Sequence, residues 1–136
     1  VVKNALSGGK IPVYGNGSNI RDWLFVDDHV EALLTVVSHG KIGSSYCIGG
    51  NNEKSNIDCV KEICKHLNKI KPTNFKYEKN IAFVKDRLGH DKRYAIDASK
   101  IKKELGWSPK ISFSEGIRLT VEWYVENIDW VNSINQ

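Results

Sequence analysis

Two arginines, two tyrosines, a histidine and an asparagine carry the chemistry that this chain suggests. Arg21 closes the run Pro12-Val13-Tyr14-Gly15-Asn16-Gly17-Ser18-Asn19-Ile20, and Arg87 stands in Asp86-Arg87-Leu88-Gly89-His90-Asp91, with Tyr94 just beyond. A guanidinium offers a rigid planar fork of donors that matches the oxygens of a phosphate, so two arginines suit a small dianion. Their neighbours leave a plainer alternative, in which Arg21 pairs with Asp22 or Asp27, and Arg87 with Asp86 or Asp91. A turn at Gly89 would bring His90 beside the Arg87 guanidinium, although a loop histidine is as readily a surface or core residue. The Tyr94 hydroxyl could reach an anion or a sugar while its ring packs. Asn56 opens a helix, where it can cap the backbone and also face an anion.

The elements that must position these groups follow from periodicity. Val13 and Tyr14 are strand formers, and Gly15 and Gly17 permit a tight turn, which lets Tyr14 and Arg21 face one cavity from either side. Val26, Val30, Leu33, Leu34 and Val37 fall at helical spacing, with Asp27 or Asp28 as N-cap, Glu31 three residues beyond Asp28, and Gly40 as the stop. Ser45 to Ile48, followed by Gly49-Gly50, reads as a strand, as does Ile81 to Val84. Ile57, Val60, Ile63, Cys64 and Leu67 form a second helical stripe capped by Ser55 or Asn56. A short helix is expected from Asp97 to a left-handed stop at Gly106. Ser112 and Glu115 read as a capping box for a last helix with Ile117, Thr120, Val121 and Tyr124 inward. Val1 to Gly9 reads as the tail of a helix. The alternation of strands and helices gives an α/β fold in one domain over residues 1–136.

Composition narrows the function. The 136 residues include no methionine, which suggests a piece of a longer reading frame or a processed chain, and a net charge of +4. The lysines are scattered among carboxylates, so solvated helix faces are expected rather than a nucleic-acid groove. No apolar run approaches the roughly 18 residues of a membrane span. Cys47, Cys59 and Cys64 have no metal-binding spacing, and read as buried fillers in a reducing cytoplasm. His29, His39 and His66 read as helix-surface residues, and Trp23, Trp107, Trp123 and Trp130 as structural anchors, with Trp130 in a loose tail.

The run from Pro12 to Val30, the blocks Tyr46 to Asp58 and Asp86 to Asp97, and Leu105-Gly106-Trp107-Ser108-Pro109 together resemble, in that order, the extended short-chain dehydrogenase/reductase superfamily. Within it they resemble the dTDP-glucose 4,6-dehydratase family, and they cover only the C-terminal part of such an enzyme. The resemblance implies a dTDP-sugar bound by Pro12, Val13, Tyr14, Arg21, Asn56, Arg87, His90 and Tyr94. The strand edge at Pro12-Val13-Tyr14 would read the base, and the arginines would hold the diphosphate. Leu88 departs from the proline usual at that point, which loosens the turn. The glycine-rich fingerprint that seats NAD is absent, and no tyrosine is followed four residues on by a lysine. Hence no catalytic, NAD-binding or metal residue is expected in this chain, although the whole enzyme uses NAD and is expected to be a homodimer. Residues 27–50 would complete the Rossmann sheet of the whole enzyme. In isolation they are expected to expose an apolar patch through which the chain self-associates.

Overall fold

A computed structural model describes residues 1–134. In chain order the elements are α1 (Val2–Leu6), β1 (Ile11–Tyr14), β2 (Ile20–Asp22), α2 (Val26–His39), β3 (Glu53–Ser55), α3 (Asn56–Ile70), a 3-10 turn (Tyr77–Asn80), β4 (Ile81–Val84), α4 (Ser99–Leu105), α5 (Phe113–Glu126) and α6 (Ile128–Ser133). β1 pairs in parallel with β4, Ile11 opposite Ile81, and β2 pairs antiparallel with β3, Arg21 opposite Lys54. The expected α/β class holds.

The main core lies between α1, β1, α3, the 3-10 turn and α5, around Ile11, Cys64, Leu67 and Val121. β1 alternates as a half-buried strand should, with Ile11 and Val13 inward and Pro12 and Tyr14 outward. α3 buries the expected stripe, and its Ser55 cap accepts a hydrogen bond from the Asp58 amide. Complete burial of a side chain such as Leu67 contributes about 1.5–3 kcal/mol. α5 starts at the Ser112 cap, but only half of the capping box forms. Ser112 Oγ accepts from the Glu115 amide at 3.3 Å, while the Glu115 carboxylate turns to the Arg118 guanidinium at 2.6 and 3.0 Å. A charged partner one turn on outcompetes the Ser112 amide.

His66 is not on the surface. One turn after Glu62, it is buried against α5, with Nε2 3.2 Å from Glu62 Oε1, an oxygen that also accepts from Ser114 Oγ at 2.7 Å. Cys59 and Cys64 are buried as expected, and burial pushes both thiols up to about 11. Cys47 is exposed instead.

A second, smaller core joins α2 and α4 through Ala32, Ala98, Ile101 and Trp107. Helix α2 begins earlier than its aspartates suggested, with Phe25 at the cap position. The Asp28 carboxylate is buried and engaged elsewhere, accepting from the amides of Lys110 and Ile111 at 3.1 and 2.9 Å. Asp97, by contrast, stands before its helix, which starts at Ser99, and its Oδ1 accepts from the Ser99 amide at 2.9 Å. Residues 45–48 form no strand, because no described strand lies beside them to share a ladder. Tyr46 packs against the second core and donates to Glu104 at 3.0 Å. The outer face of α2 stays open, from 47% exposure at Val30 and Leu33 to 84% at Val37. The expected apolar patch is therefore present.

Trp107 is buried as an anchor, whereas Trp123 and Trp130 are exposed and meet edge to face with centroids 5.5 Å apart. Trp130 belongs to α6 rather than to a loose tail.

Candidate functional site

The turn between β1 and β2 assembles the site. Gly15 and Gly17 have φ of +56° and +75°, the left-handed region that side chains resist. A Cβ on Gly17 would lie 2.8 Å from both Ile57 Cβ and Val13 Cγ1, and one on Gly15 would lie 2.9 Å from Asp86 Oδ2. The turn thus packs against the start of α3 on one side and the 86–91 loop on the other. Backbone bonds stitch it there. Ile57 donates to the Gly17 carbonyl at 3.0 Å, and Asn56 to the Asn19 carbonyl at 2.9 Å. On the far edge of β2, Ile20 donates to Lys92 at 2.8 Å and accepts from Tyr94 at 3.0 Å, which sets Arg21 beside Tyr94.

The sequence reading missed one residue of this stitching, Asn19, and gave another, Asp22, only as a possible partner of Arg21. Asn19 is buried, and its Nδ2 donates to the Asp91 carbonyl at 3.1 Å, tying the turn to the loop that carries Arg87 and His90. Asp22 accepts from the amides of Gly50 and Asn52, both at 2.8 Å, and so fixes β2 to residues 50–52. An asparagine after a glycine turn is the sole signal for the first. For the second, nothing in the spacing reveals a partner 28 residues away.

Arg21, Arg87, Leu88, Gly89, His90, Asp91 and Tyr94 line a polar cavity of about 350 Å³. Arg21 donates to the carbonyls of Ile20 and Asp91 at 2.6 and 3.0 Å, and its guanidinium lies 4.8 Å from the Tyr94 ring centroid. The Arg87 guanidinium lies 5.1 Å from the Tyr14 centroid. Neither pairs with a carboxylate among the described residues, because the nearby acids are engaged elsewhere. Asp22 serves the 50–52 amides, Asp86 meets His90, and Asp91 accepts from the Tyr94 hydroxyl. The plainer pairing of each arginine with a sequence neighbour is thus not what forms. Two guanidiniums without a direct carboxylate partner among the described residues thus line one cavity.

His90 sits at the base of this cavity. Its Nδ1 lies 2.7 Å from Asp86 Oδ1, and its ring meets Tyr14 edge-on at 6.4 Å. The His90 contact holds the Asp86 carboxyl below its ordinary value, helped by the Arg87 amide. Tyr94 is less available than its spacing suggested, since its hydroxyl is bound to Asp91, and that bond pushes the phenol up. Leu88, in the place of the expected proline, is fully exposed.

Pro12, Val13, Tyr14 and Asn56 line a different, mostly apolar cavity of about 540 Å³, whose far wall includes Tyr124 and Trp130. The candidates therefore divide into an apolar group and a cationic one. Tyr14 joins them, because its ring borders the first cavity while touching Arg87 and His90 of the second. Among the described residues β1 has no strand on the edge away from β4, so that edge stays open. A larger groove near Lys54, Lys61 and Glu62 holds none of the candidates.

The residues present do not fit a dinucleotide. The Gly15-Gly17 turn opens on strand β2 rather than on a helix N-terminus, and α2 and α3 are entered through Phe25 and Ser55 without a glycine loop. Among the described residues no group of three His, Cys, Asp or Glu could hold a metal ion, and no helix is long and apolar enough to cross a membrane.

The fold as a whole matches a portion of the Rossmann-type dehydratase/epimerase fold. The model of the family described as GDP-mannose 4,6 dehydratase matches residues 1–120, and the chain belongs to that family. It is 55% identical over 134 residues to the dTDP-glucose 4,6-dehydratase of Shigella flexneri, covering 98% of this chain and 37% of that protein. A dTDP-glucose 4,6-dehydratase of Bacillus anthracis, solved in complex with NAD, superposes with a TM-score of 0.83 at 48% identity, over 95% of this chain and 39% of that one. DesIV of Streptomyces venezuelae, a dTDP-glucose 4,6-dehydratase with NAD and TYD bound, superposes with a TM-score of 0.85 at 39% identity, over 95% and 38%. The chain spans less than two fifths of the length of these relatives.

Proposed function

We propose that this chain is the nucleotide-sugar-binding part of a dTDP-glucose 4,6-dehydratase, an NAD-dependent lyase that converts dTDP-glucose to dTDP-4-keto-6-deoxyglucose and water. The observation that carries the reading is the pair of guanidiniums, Arg21 and Arg87, without carboxylate partners at one cavity that Tyr14 joins to a second, apolar one. The pyrimidine lies along the Pro12–Tyr14 edge beside Asn56, and the diphosphate lies between Arg21 and Arg87, with His90 below it and Tyr94 at its side. In this reading the chain supplies binding energy and orientation. NAD supplies hydride chemistry in the whole enzyme, and this chain has neither the residues to seat it nor a catalytic acid or base. The chain alone is therefore inactive, because uniform binding of substrate does not lower a barrier. The dehydratase is cytoplasmic and serves polysaccharide synthesis. It works as a homodimer, while this chain alone self-associates through the open face of α2.

Calorimetric titration with dTDP-, UDP- and GDP-glucose tests the reading. Saturable binding of dTDP-glucose, abolished in Arg87→Ala, is the expected result. Binding of none of the three sugars overturns it, and a preference for UDP-glucose moves the chain to an epimerase or decarboxylase of the same superfamily.

A further inference from the structure

Among the described residues' buried side-chain polar atoms that find no hydrogen-bond partner, His90 Nε2 is the one on a ring lining the arginine cavity. The ring is almost covered, with its side chain 4% exposed, so the nitrogen has neither protein nor bulk water to satisfy it. Its other nitrogen is firmly engaged, since Asp86 Oδ1 lies 2.7 Å from Nδ1 and also accepts from the Arg87 amide at 2.8 Å. An ionised carboxylate can only accept, so the proton of a neutral ring sits on Nδ1 and Nε2 is left as a bare lone pair. Gly15 lets the β1–β2 turn close over Asp86, which holds the carboxylate in place.

The charged and polar groups around the ring come from every element that borders it. Asp86, Arg87 and Asp91 face it from its own loop, Arg21 from β2, Tyr14 from β1 and Tyr94 from the segment beside β2. The Asp86 carboxylate against Nδ1 favours a positive charge on the ring, while the guanidiniums of Arg21 and Arg87 on the same cavity oppose one. A permanent dianion lying between Arg21 and Arg87 makes the lining net negative. A proton from solvent on Nε2 offsets part of that excess and turns an unsatisfied acceptor into a charged donor aimed at the anion.

We propose that Asp86 is a positioning residue for His90, and that the pair takes up one proton when the diphosphate of a sugar nucleotide enters the cavity. The inference rests on the sugar-nucleotide reading above. Atoms balance simply: one solvent proton joins the imidazole to give an imidazolium, and no bond to the ligand forms or breaks.

The probe is dTDP-glucose, because both of its phosphates are esterified and its own charge is constant near neutrality, unlike that of dTDP. Calorimetry in buffers of small and large ionisation enthalpy counts the protons. The wild-type chain takes up close to one proton per ligand on the alkaline side of the histidine range, and its affinity falls by up to about tenfold per pH unit there. Asp86→Asn and His90→Gln bind more weakly, with the uptake lost and the pH profile flat. A purely structural role for Asp86 would weaken binding equally at every pH and leave the slope intact. Binding without proton uptake, or an Asp86→Asn profile with the wild-type slope, overturns the inference alone. Failure of the wild type to bind any nucleotide sugar overturns the reading it rests on as well. Should Asp86→Asn not fold, the imidazole nitrogen spectrum of the wild type decides instead. Nε2 must pass from bare to protonated on ligand addition, and an unchanged Nε2 signal overturns the proposal.

Discussion

The core around α3 and α5 and the core around α2 and α4 are built from equally regular sequence patterns, yet they end differently. In the first, every stripe finds a partner, and Leu67, Cys64 and Val121 are wholly enclosed. In the second, α2 buries Ala32 and Asp28 on one side and leaves Val26, Leu34 and Val37 open on the other, while residues 45–48 lie extended without a ladder. The candidate site draws its apolar half from the first region and its arginines from β2 and from the loop tied to it. Amphipathic periodicity thus states what a segment is able to bury, and the partner decides whether it does.

Truncation should separate the two regions most sharply. Leu67→Ala is expected to cost about 2–5 kcal/mol in chemical denaturation, whereas Leu34→Ala, at an open position, should cost under about 0.5 kcal/mol. Equal losses would show that α2 is as well packed as α3. Next in size is Asp28→Ala, which strands the amides of Lys110 and Ile111 and should cost about 1–3 kcal/mol while leaving dTDP-glucose affinity unchanged. A loss of affinity there would mean that the second core supports the site.

A smaller effect comes from Glu62, whose carboxyl is held below its ordinary 4.5 by the Ser114 hydroxyl and then by Lys65. A depressed carboxyl stabilises the fold above its unfolded value, and that contribution is lost as pH falls through the folded one. Acid should therefore loosen the α3–α5 seam, and Glu62→Gln, measured by thermal melting at pH 7 and pH 3, should be destabilised at pH 7 by more than at pH 3. A constant difference would remove Glu62 from the seam. The mildest change is Leu34→Glu with Val37→Glu, which should reduce self-association in sedimentation with little change in melting temperature. Unaltered association would place the contact elsewhere.

Local rules made part of this structure legible. Ser55 or Asn56 before an apolar stripe, Gly106 after one, and the strand formers Val13 and Tyr14 each express a preference settled within a few residues, and the structure has Ser55 as the cap, Gly106 left-handed and a strand at Ile11–Tyr14. The failures share a cause. Asp28 looks like a cap, but its partners lie 82 and 83 residues away. Ser45 to Ile48 has strand composition, yet a strand exists only through its neighbour. His66 and Glu115 were diverted by charged groups one turn away or across a helix seam. Within the site, the arginines and His90 were visible as residue types in motif order, while Asn19 was not, and Asp22 and Asp86 were read only as possible partners of the arginines. Their work is to accept or donate across folds of the chain that spacing does not encode.

The most direct test is amide chemical-shift mapping of the chain titrated with dTDP-glucose. Shifts confined to Tyr14, Arg21, Asn56, Arg87, His90, Tyr94 and their neighbours, with residues 30–37 of α2 unmoved, are the predicted result. Perturbations centred on α2, or none at Arg21 and Arg87, would contradict a nucleotide-sugar site built from the first region, β2 and the loop tied to it.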